Sequence, residues 1–315
     1  MTLQLPTPMA PLKLGTRGSP LALAQANETR ARLAAAHDLP FEAFEIVAIK
    51  TTGDRIIDRP LKEIGGKGLF TREIEEALLS GAIDIAVHSM KDMPTLQPGG
   101  LLLDTYLPRE DVRDGFVSPG YATLADLPER ALVGTSSLRR KAQVLVAYPH
   151  LEVVEFRGNV QTRLKKLDDG VATCTFLAMA GLNRLGRADV AQSALDPSEM
   201  LPAIAQGAIG IERREGDSRV AEMLSAIHDE MTGQRLAAER AFLAALDGSC
   251  ETPLAGLAEL NGTTLHLRGE VLRPDGSQSI KDSRSAPIAD GAALGRAMAE
   301  DMLKEAGPGF FDWRD

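Results

Sequence analysis

Residues 83–94 read IDIAVHSMKDMP, and this stretch indicates both the fold class and the place of a functional site. Its first half, residues 83–87, is a short apolar run of the kind that forms a buried strand. Its second half is polar, and the closing proline disfavours a helix directly after it. Ligands of open α/β sheets bind at the carboxyl ends of the strands, which favours Lys91 and Asp92 as site residues. The alternative is a capped turn with a surface ion pair.

The composition limits the class of protein. A chain of 315 residues predicts two domains or three small ones, and a net charge of −9 with 4% aromatic residues argues against binding to nucleic acid or to an anionic membrane. We find no apolar run of membrane-spanning length and no signal pattern at the N-terminus. The two cysteines, Cys174 and Cys250, do not suggest a disulfide framework and favour a reducing cytoplasm.

The first two thirds of the chain alternate between strand and helix patterns, which predicts parallel sheets. Ser19 is a candidate N-cap with Pro20 at the first helical position. Residues 51–67 are polar and rich in glycine, so we expect a mobile cover. Strands are predicted at 12–16, 41–50, 83–87, 101–107, 131–133, 151–156 and 173–178, and helices at 20–36, 69–79, 137–148, 160–167, 219–228 and 233–246. Residues 197–210 are predicted to be irregular.

The pattern changes at residue 254. Asn261-Gly262 is a hairpin turn between two strand-like runs, and a second turn at Pro274-Asp275-Gly276 leads to a third run at 277–285. A helix is predicted at 292–306. This C-terminal part is therefore expected to be a small α+β unit with an antiparallel sheet.

Basic residues follow one predicted strand after another. In an acidic chain this joint placement indicates one anion-binding cleft, because arginine suits bidentate recognition of carboxylate or phosphate. Helix N-termini near Ser19, Gly68 and Ser137 would add donor amides. Any single one of these residues is more often a solvated charge. The set comprises Arg17, Lys67, Lys91, Arg139, Arg140, Arg157, Arg163, Arg184 and Arg187.

Two further residue types could carry chemistry. Cys250 lies in a polar turn beside Gly248, where a thiol could be exposed and reactive, although most cysteines are small core residues. Cys174 lies in an apolar strand and fits a core role. His88 could be a general base or a hydrogen-bonded structural histidine. No histidines and cysteines have metal-ligand spacing, so no metal is predicted.

At these residues the chain resembles the porphobilinogen deaminase (hydroxymethylbilane synthase) family. The motifs that carry the resemblance run in order from one end of the chain to the other. They are TRGSPLA at 16–22, GGKGLF at 65–70, VHSMKD at 87–92, GTSSLRR at 134–140, RGNV at 157–160, AGL at 180–182, QG at 206–207 and GSC at 248–250.

The resemblance implies an α/β protein of three domains. Two periplasmic-binding-protein-like α/β domains would flank a cleft, formed by residues 11–107 with 208–226 and by residues 108–207. Residues 228–315 would form a C-terminal α+β domain with a three-stranded antiparallel sheet and the cofactor cysteine. The implied enzyme is a monomeric cytoplasmic transferase. It condenses four porphobilinogen molecules into hydroxymethylbilane with release of ammonia, primed by a dipyrromethane cofactor in thioether linkage to Cys250.

The resemblance also implies roles for individual residues. Asp92 would be the catalytic carboxylate, which stabilises the cation left by loss of ammonia and assists proton transfer. Substrate would contact Arg17, Ser19, Lys67, Phe70 and Gln206. The cofactor would contact Lys91, Ser137, Arg139, Arg140, Arg157, Asn159, Arg163, Arg184 and Gly207 in addition to Cys250.

Three positions depart from the family pattern, namely Thr173, Glu63 and Glu251, and none of them is assigned to chemistry. A protein of another class would also explain the basic residues, since a non-catalytic binder of small polycarboxylates needs the same cleft. Cys250 separates the two hypotheses, because only the enzyme requires a pyrrolic adduct on it. Scarce aromatic residues and the acidic net charge disfavour a nucleic-acid-binding protein.

Overall fold

The computed structural model describes residues 3–55, 71–248 and 252–314. The described residues form two compact units, Met1–Glu110 with Ala208–Gly233 and Asp111–Gly207 with Gln234–Asp315. The division of the chain into three domains stays a prediction. Three predicted site residues, Lys67, Phe70 and Cys250, lie outside the described residues, as does most of the predicted cover at 51–67.

A five-stranded sheet organises the first unit. Its strand order is β2-β1-β3-β10-β4, with β1 parallel to β2 and β3, and with β10 antiparallel to both β3 and β4. The sheet is therefore mixed, whereas strand–helix alternation predicted parallel pairing alone. The bounds are β1 Leu12–Arg17, β2 Phe44–Ile49, β3 Ile85–Ser89, β4 Leu101–Tyr106 and β10 Ile209–Arg214.

Strand β10 is the element of this sheet that sequence patterns missed. Its first residue lies inside the segment predicted to be irregular, and Gly210 and Glu212 interrupt the apolar run. Gly210 is required because a Cβ atom there would overlap the side chain of Met90. Both residues thus serve packing against the end of β3, which a local pattern cannot indicate.

Two helices of the first unit cover opposite faces of the sheet. Helix α1, Pro20–His37, begins as predicted, since the Ser19 side chain accepts a hydrogen bond from Ala22 N at 3.2 Å. Its apolar residues pack with Ile85 and Val87 of β3. Helix α3, Arg72–Leu79, packs on the other face with Ala86. The remaining helices are the short α2 Thr52–Arg55 and α7 Ser218–Ser225.

The second unit contains another five-stranded sheet, in the order β7-β6-β8-β5-β9. Strand β5 was not predicted because it follows a run of charged residues at 109–114, yet its first residue, Asp114, is completely buried. The strands are β5 Asp114–Val117, β6 Leu132–Gly134, β7 Glu152–Val154, β8 Cys174–Ala178 and β9 Ser193–Ala194, and the helices are α4 Leu138–Ala147, α5 Val160–Asp168 and α6 Met179–Arg184.

The C-terminal part of the second unit has the predicted antiparallel sheet. Strands β11, β12 and β13 pair in chain order, and Gly262 in the first turn has φ 58°, a left-handed conformation that favours glycine. The predicted α/β class with an α+β C-terminal part is confirmed. The bounds are α8 Glu230–Ala245, β11 Leu254–Asn261, β12 Thr264–Leu272, β13 Ser279–Pro287 and α9 Gly291–Ala306.

Candidate active site

A cavity of about 80 Å³ lies in the first unit at the carboxyl ends of β1 and β3. Four of the predicted site residues, Arg17, Ser19, Lys91 and Asp92, line it together. These four residues therefore lie together at the carboxyl ends of the strands, and their roles as site residues stay a prediction. The other lining residues are Thr16, Leu21, Ala22, Gln25, Thr71, Val87, His88, Ser89 and Met93.

The strand that delivers Asp92 begins and ends two residues later than predicted. The Asp84 carboxylate accepts a hydrogen bond from Lys13 N at 2.8 Å, outside the strand, and Ser89 becomes the last strand residue. A single 3₁₀ turn, Met90–Asp92, then places Lys91 and Asp92 half-buried at the cavity. Among the described residues the Asp92 carboxylate has no hydrogen-bond or ion-pair partner. It is thus available to a ligand.

The cavity wall includes a hydrogen-bonded pair that the sequence did not single out. Gln25 Nε2 donates to Ser89 Oγ at 2.8 Å, and Ser89 Oγ lies 2.9 Å from Gln25 Oε1. Thr16 Oγ1 donates to Val87 O at 3.2 Å, which ties β1 to β3 beside the cavity. The sequence signal for this pair is weak, since Gln25 is one of two polar residues, with Thr29, on the buried face of α1.

His88 is buried in the same wall and has an acidic partner. Its Nε2 lies 3.0 Å from Glu212 Oε2, and the side chains are 5% and 0% exposed. Glu75 of α3 lies nearby and is also buried. Burial raises the pKa of Glu75, and the charge of Glu212 adds to that shift. Two roles were left open for His88, a general base and a hydrogen-bonded structural histidine. The contact of its Nε2 atom with Glu212 fits the second role.

In the second unit, Arg139 and Arg140 turn inward to a common carboxylate. Arg139 Nη2 and Arg140 Nη2 each lie 2.7 Å from an oxygen of Asp114, and the two guanidinium groups are 5% and 6% exposed. Each arginine also donates to a backbone carbonyl, of Leu201 at 2.9 Å and of Phe176 at 2.8 Å. Only the Nε atoms of the two arginines are left without a partner in the described part of the chain.

The Asp114 carboxylate is fully ionised at the centre of this cluster. Burial alone would raise the pKa of Asp114, but the charges and hydrogen bonds of the two arginines outweigh burial and hold it well below its usual range. Gln206 Nε2 donates to the same carboxylate at 2.9 Å and to Val112 O at 2.8 Å. Its amide nitrogen therefore has two internal acceptors, and the predicted contact of Gln206 with substrate stays a prediction.

The other predicted site residues of the second unit lie at element ends, except Arg163, which lies one turn inside α5. Ser137 and Asn159 cap α4 and α5, with their side chains accepting from Arg140 N at 3.4 Å and Thr162 N at 2.9 Å. Arg157 and Arg163 are half-buried. Arg184 Nη1 donates to Gly207 O at 3.2 Å, so these two predicted cofactor contacts lie side by side.

Two negative observations concern other kinds of site. In the ranges that the structure describes, no group of three or more His, Cys, Asp and Glu could hold a metal ion. None of the helices described is both long and apolar enough to cross a membrane. Cys174 is buried, and burial raises the pKa of its thiol to about 12, consistent with a core residue.

Family models match most of the chain. Residues 12–222 match the model described as "Porphobilinogen deaminase, dipyromethane cofactor binding domain", and residues 234–304 match "Porphobilinogen deaminase, C-terminal domain". A curated porphobilinogen deaminase from Paracoccus denitrificans is 66% identical over 310 residues, which cover 98% of this chain and 99% of that protein. One from Nitrobacter hamburgensis is 55% identical over 298 residues, 95% of this chain and 94% of that protein.

Similar solved structures include binding proteins. A periplasmic substrate-binding protein of an ABC transporter from Coxiella burnetii is 14% identical, covers 73% of this chain and 96% of its own, and has a TM-score of 0.41. The methionine-binding protein MetQ is 13% identical, covers 70% of this chain and 91% of its own, and has a TM-score of 0.43.

Proposed function

Because the chain belongs to the porphobilinogen deaminase family, we propose that Asp92 is its catalytic carboxylate and that the surrounding basic residues bind substrate carboxylates. The enzyme is a transferase that polymerises porphobilinogen in tetrapyrrole biosynthesis, with a dipyrromethane cofactor. The observation that carries the proposal is the half-buried Asp92 carboxylate, which lines a cavity with Arg17 and Lys91 and has no partner in the described part of the chain.

The chemistry requires a carboxylate at this position. Loss of ammonia from porphobilinogen develops positive charge on the pyrrole and its methylene carbon, and a fixed anion beside them lowers the energy of that state. The same carboxylate accepts a hydrogen bond from the pyrrole N–H and takes the proton released after the new carbon–carbon bond forms. An Asp92 side chain already paired within the protein would have to break that pair first.

Basic side chains bind the acetate and propionate groups of the substrate. Arg17 offers a planar pair of donors that matches a carboxylate, whereas Lys91 acts as a point charge. The Ser19 hydroxyl, which accepts from Ala22 N and still has its own proton to donate, adds a neutral donor at the same cavity. Lys67, Phe70 and Gln206 are the further substrate contacts that we propose. The first two lie outside the described residues.

The second unit has side chains that fit the cofactor. Its donor set is rich in half-buried arginine, namely Arg157, Arg163 and Arg184, and it includes the helix caps Ser137 and Asn159. Such a set suits a molecule with several carboxylates. We propose that these residues, together with Gly207 and with Lys91 of the first unit, hold the dipyrromethane, and that Cys250 is its attachment point. When bound, the cofactor primes the growing pyrrole chain.

Arg139 and Arg140 require a narrower proposal. Both guanidinium groups already share Asp114, so one of their two positive charges is neutralised and a net charge of about +1 is left for a cofactor carboxylate. We propose that each arginine keeps its hydrogen bond to Asp114 while it binds the cofactor through guanidinium N–H groups that Asp114 does not occupy.

We also propose that the enzyme is a cytoplasmic monomer of three domains that binds neither nucleic acid nor membrane. The supports are the acidic net charge of −9 and the absence of any disulfide framework in a chain with two cysteines. Light scattering on the purified protein should give about the chain mass of 33.7 kDa. A mass of twice that value at micromolar concentration would contradict the monomer.

Turnover and intact mass test the proposal together. Asp92→Asn keeps the shape of the side chain but removes the charge, so turnover should fall on the order of a hundredfold or more. Asp104→Asn is the matched control, a carboxylate on β4 that pairs with Arg213 and should leave turnover unchanged. Near-normal turnover of Asp92→Asn would contradict the assignment of Asp92 as the catalytic carboxylate.

Intact mass tests the attachment of the cofactor. The wild type should carry the extra mass of a dipyrromethane, and Cys250→Ser should lack both that mass and activity.

A further inference from the structure

The carboxyl end of β3 is held from both faces of the sheet. On the α1 face, Gln25 and Ser89 are hydrogen-bonded at 2.8 Å. On the α3 face, the ring of His88 lies 3.0 Å from Glu212 of β10. The 3₁₀ turn with Asp92 begins directly after Ser89. The direction in which this turn leaves the sheet therefore depends on how firmly these last strand residues are fixed.

The backbone places Glu212 and His88 on one face of the sheet. In the antiparallel pairing of β3 with β10, Gly210 lies opposite His88 and Glu212 lies opposite Ala86. Because side chains alternate along a strand, His88 and Glu212 are diagonal neighbours on the same side. Glu212 is completely buried, and its second oxygen, Oε1, has no hydrogen-bond partner in the described ranges. Within the described ranges, His88 is therefore the one side-chain hydrogen-bond partner of Glu212.

Stability alone gives a poor account of this pair. Replacing a buried ionisable pair with well-packed apolar residues is often neutral or stabilising, because removing two polar groups from water costs more than their attraction returns. The cost is higher here since Glu75 is a third ionisable group in the same buried region. A hydrogen bond, unlike an apolar contact, fixes the orientation of the two groups that it joins. Asp92, four residues after His88, requires a fixed orientation to act on the substrate.

Strand β10 also holds the turn through its backbone. Met90 N donates to Ala208 O at 3.0 Å, just before β10 begins. The Met90 side chain lies over Gly210 so closely that no Cβ atom would fit. These contacts add to the pairing of Ser89 with Ile209 at the end of the strand. His88 and Glu212 add a side-chain contact on the α3 face.

We propose that His88 and Glu212 are a positioning pair for Asp92. His88 is one of the residues that line the same cavity as Asp92, and the hydrogen bond of its ring to Glu212 holds the end of β3 so that the Asp92 carboxylate faces the substrate. The pair acts through Asp92 and does not itself react. This inference rests on the proposed catalytic role of Asp92.

Three variants of the holoenzyme test the pair. His88→Gln keeps a donor for Glu212, and its kcat should stay within about threefold of the wild type. The double variant His88→Leu/Glu212→Leu removes the hydrogen bond and leaves no lone buried charge, so its Tm should be close to that of the wild type. Its kcat should nevertheless fall about tenfold or more with KM for porphobilinogen nearly unchanged, because a misplaced group slows the chemical step. His88→Leu alone should be both slow and less stable.

Controls separate positioning from folding and from the assignment of Asp92. Leu101→Ala, at the opposite end of the same sheet beside Arg214, should lower Tm but leave kcat unchanged. A double leucine variant with wild-type kcat would overturn the proposal, as would a His88→Gln enzyme as slow as the double variant. Asp92→Asn measured in the same assay distinguishes the two levels. If Asp92→Asn is inactive while the double variant is fully active, only the positioning pair is wrong.

Discussion

Asp92 and the pair Arg139 and Arg140 were predicted from the same sequence signal, a charged residue at the end of an element, yet they differ in one respect. Asp92 is half-buried at a cavity with no partner in the described part of the chain. The two arginines are almost completely buried and share the Asp114 carboxylate. Placement at an element end therefore brings a charge near a site, but the availability of a partner within the protein decides what the charge does.

The comparison predicts opposite consequences for stability and chemistry. A charge paired in the interior is expensive to strip of its partner, because the remaining charge stays buried. A half-buried charge without a partner can be removed at little cost in stability, while the chemistry that depends on it is lost. The predictions below test this difference, beginning with the largest expected effect.

Asp114→Asn should destabilise the protein by about 3–5 kcal/mol, since two guanidinium groups would stay buried without an anion. The measurement is urea unfolding of the variant and the wild type at pH 7. Asp111→Asn is the matched control, three residues earlier and paired with the partly exposed Arg113, and should cost less than about 1 kcal/mol. A loss for Asp114→Asn as small as that of the control would mean that the arginines do not depend on this carboxylate.

The Asp114 cluster should also set the acid limit of stability. The pKa of Asp114 is lowered in the folded protein, whereas an unfolded aspartate titrates near ~3.9. Its stabilisation is therefore complete above the unfolded pKa and is lost as pH falls from about 4 toward the lower folded pKa. Unfolding free energies between pH 6 and pH 3 should fall more steeply for the wild type than for Asp114→Asn. Parallel curves would contradict the linkage.

Features of this protein that depend on neighbouring residues were predictable from sequence. Contacts between residues far apart in the chain, such as those of the Asp114 cluster, were not. The cap at Ser19, strand β1 and the C-terminal hairpin depend on neighbouring residues and were correct. Asp114 lies 25 residues from Arg139, within a run of charges that suggests solvent. Nothing local indicates its burial. The same holds for Glu212, which is 124 residues from His88 in sequence.

Arg157 tests cofactor binding. It is half-buried in the segment after β7, and we propose that it binds the cofactor. In Arg157→Gln the loss of one charged hydrogen bond of about 1.5–3 kcal/mol to the cofactor should slow the conversion of apoprotein to holoenzyme roughly tenfold or more, whereas stability should change by less than about 1 kcal/mol. Intact mass at intervals after apoprotein is mixed with porphobilinogen gives the fraction that carries the covalent adduct. A variant that unfolds while its folded remainder keeps full cofactor would make Arg157 structural.

Cys174 should have the smallest effect, because it is a buried core residue and the proposed attachment point of the cofactor is Cys250. Burial raises its pKa to about 12, so at pH 8 only ~1 in 10,000 molecules carries the thiolate, against about a quarter for an ordinary cysteine near 8.5. Iodoacetamide should therefore leave Cys174 unmodified in the native protein and alkylate it in the denatured protein.

Cys174→Ala removes one small group from the cluster with Phe116 and Val133 and should cost about 1 kcal/mol. Cofactor mass and turnover should match the wild type. Loss of the cofactor from Cys174→Ala, with the fold intact, would instead give this thiol a role in attachment and weaken the assignment of Cys250.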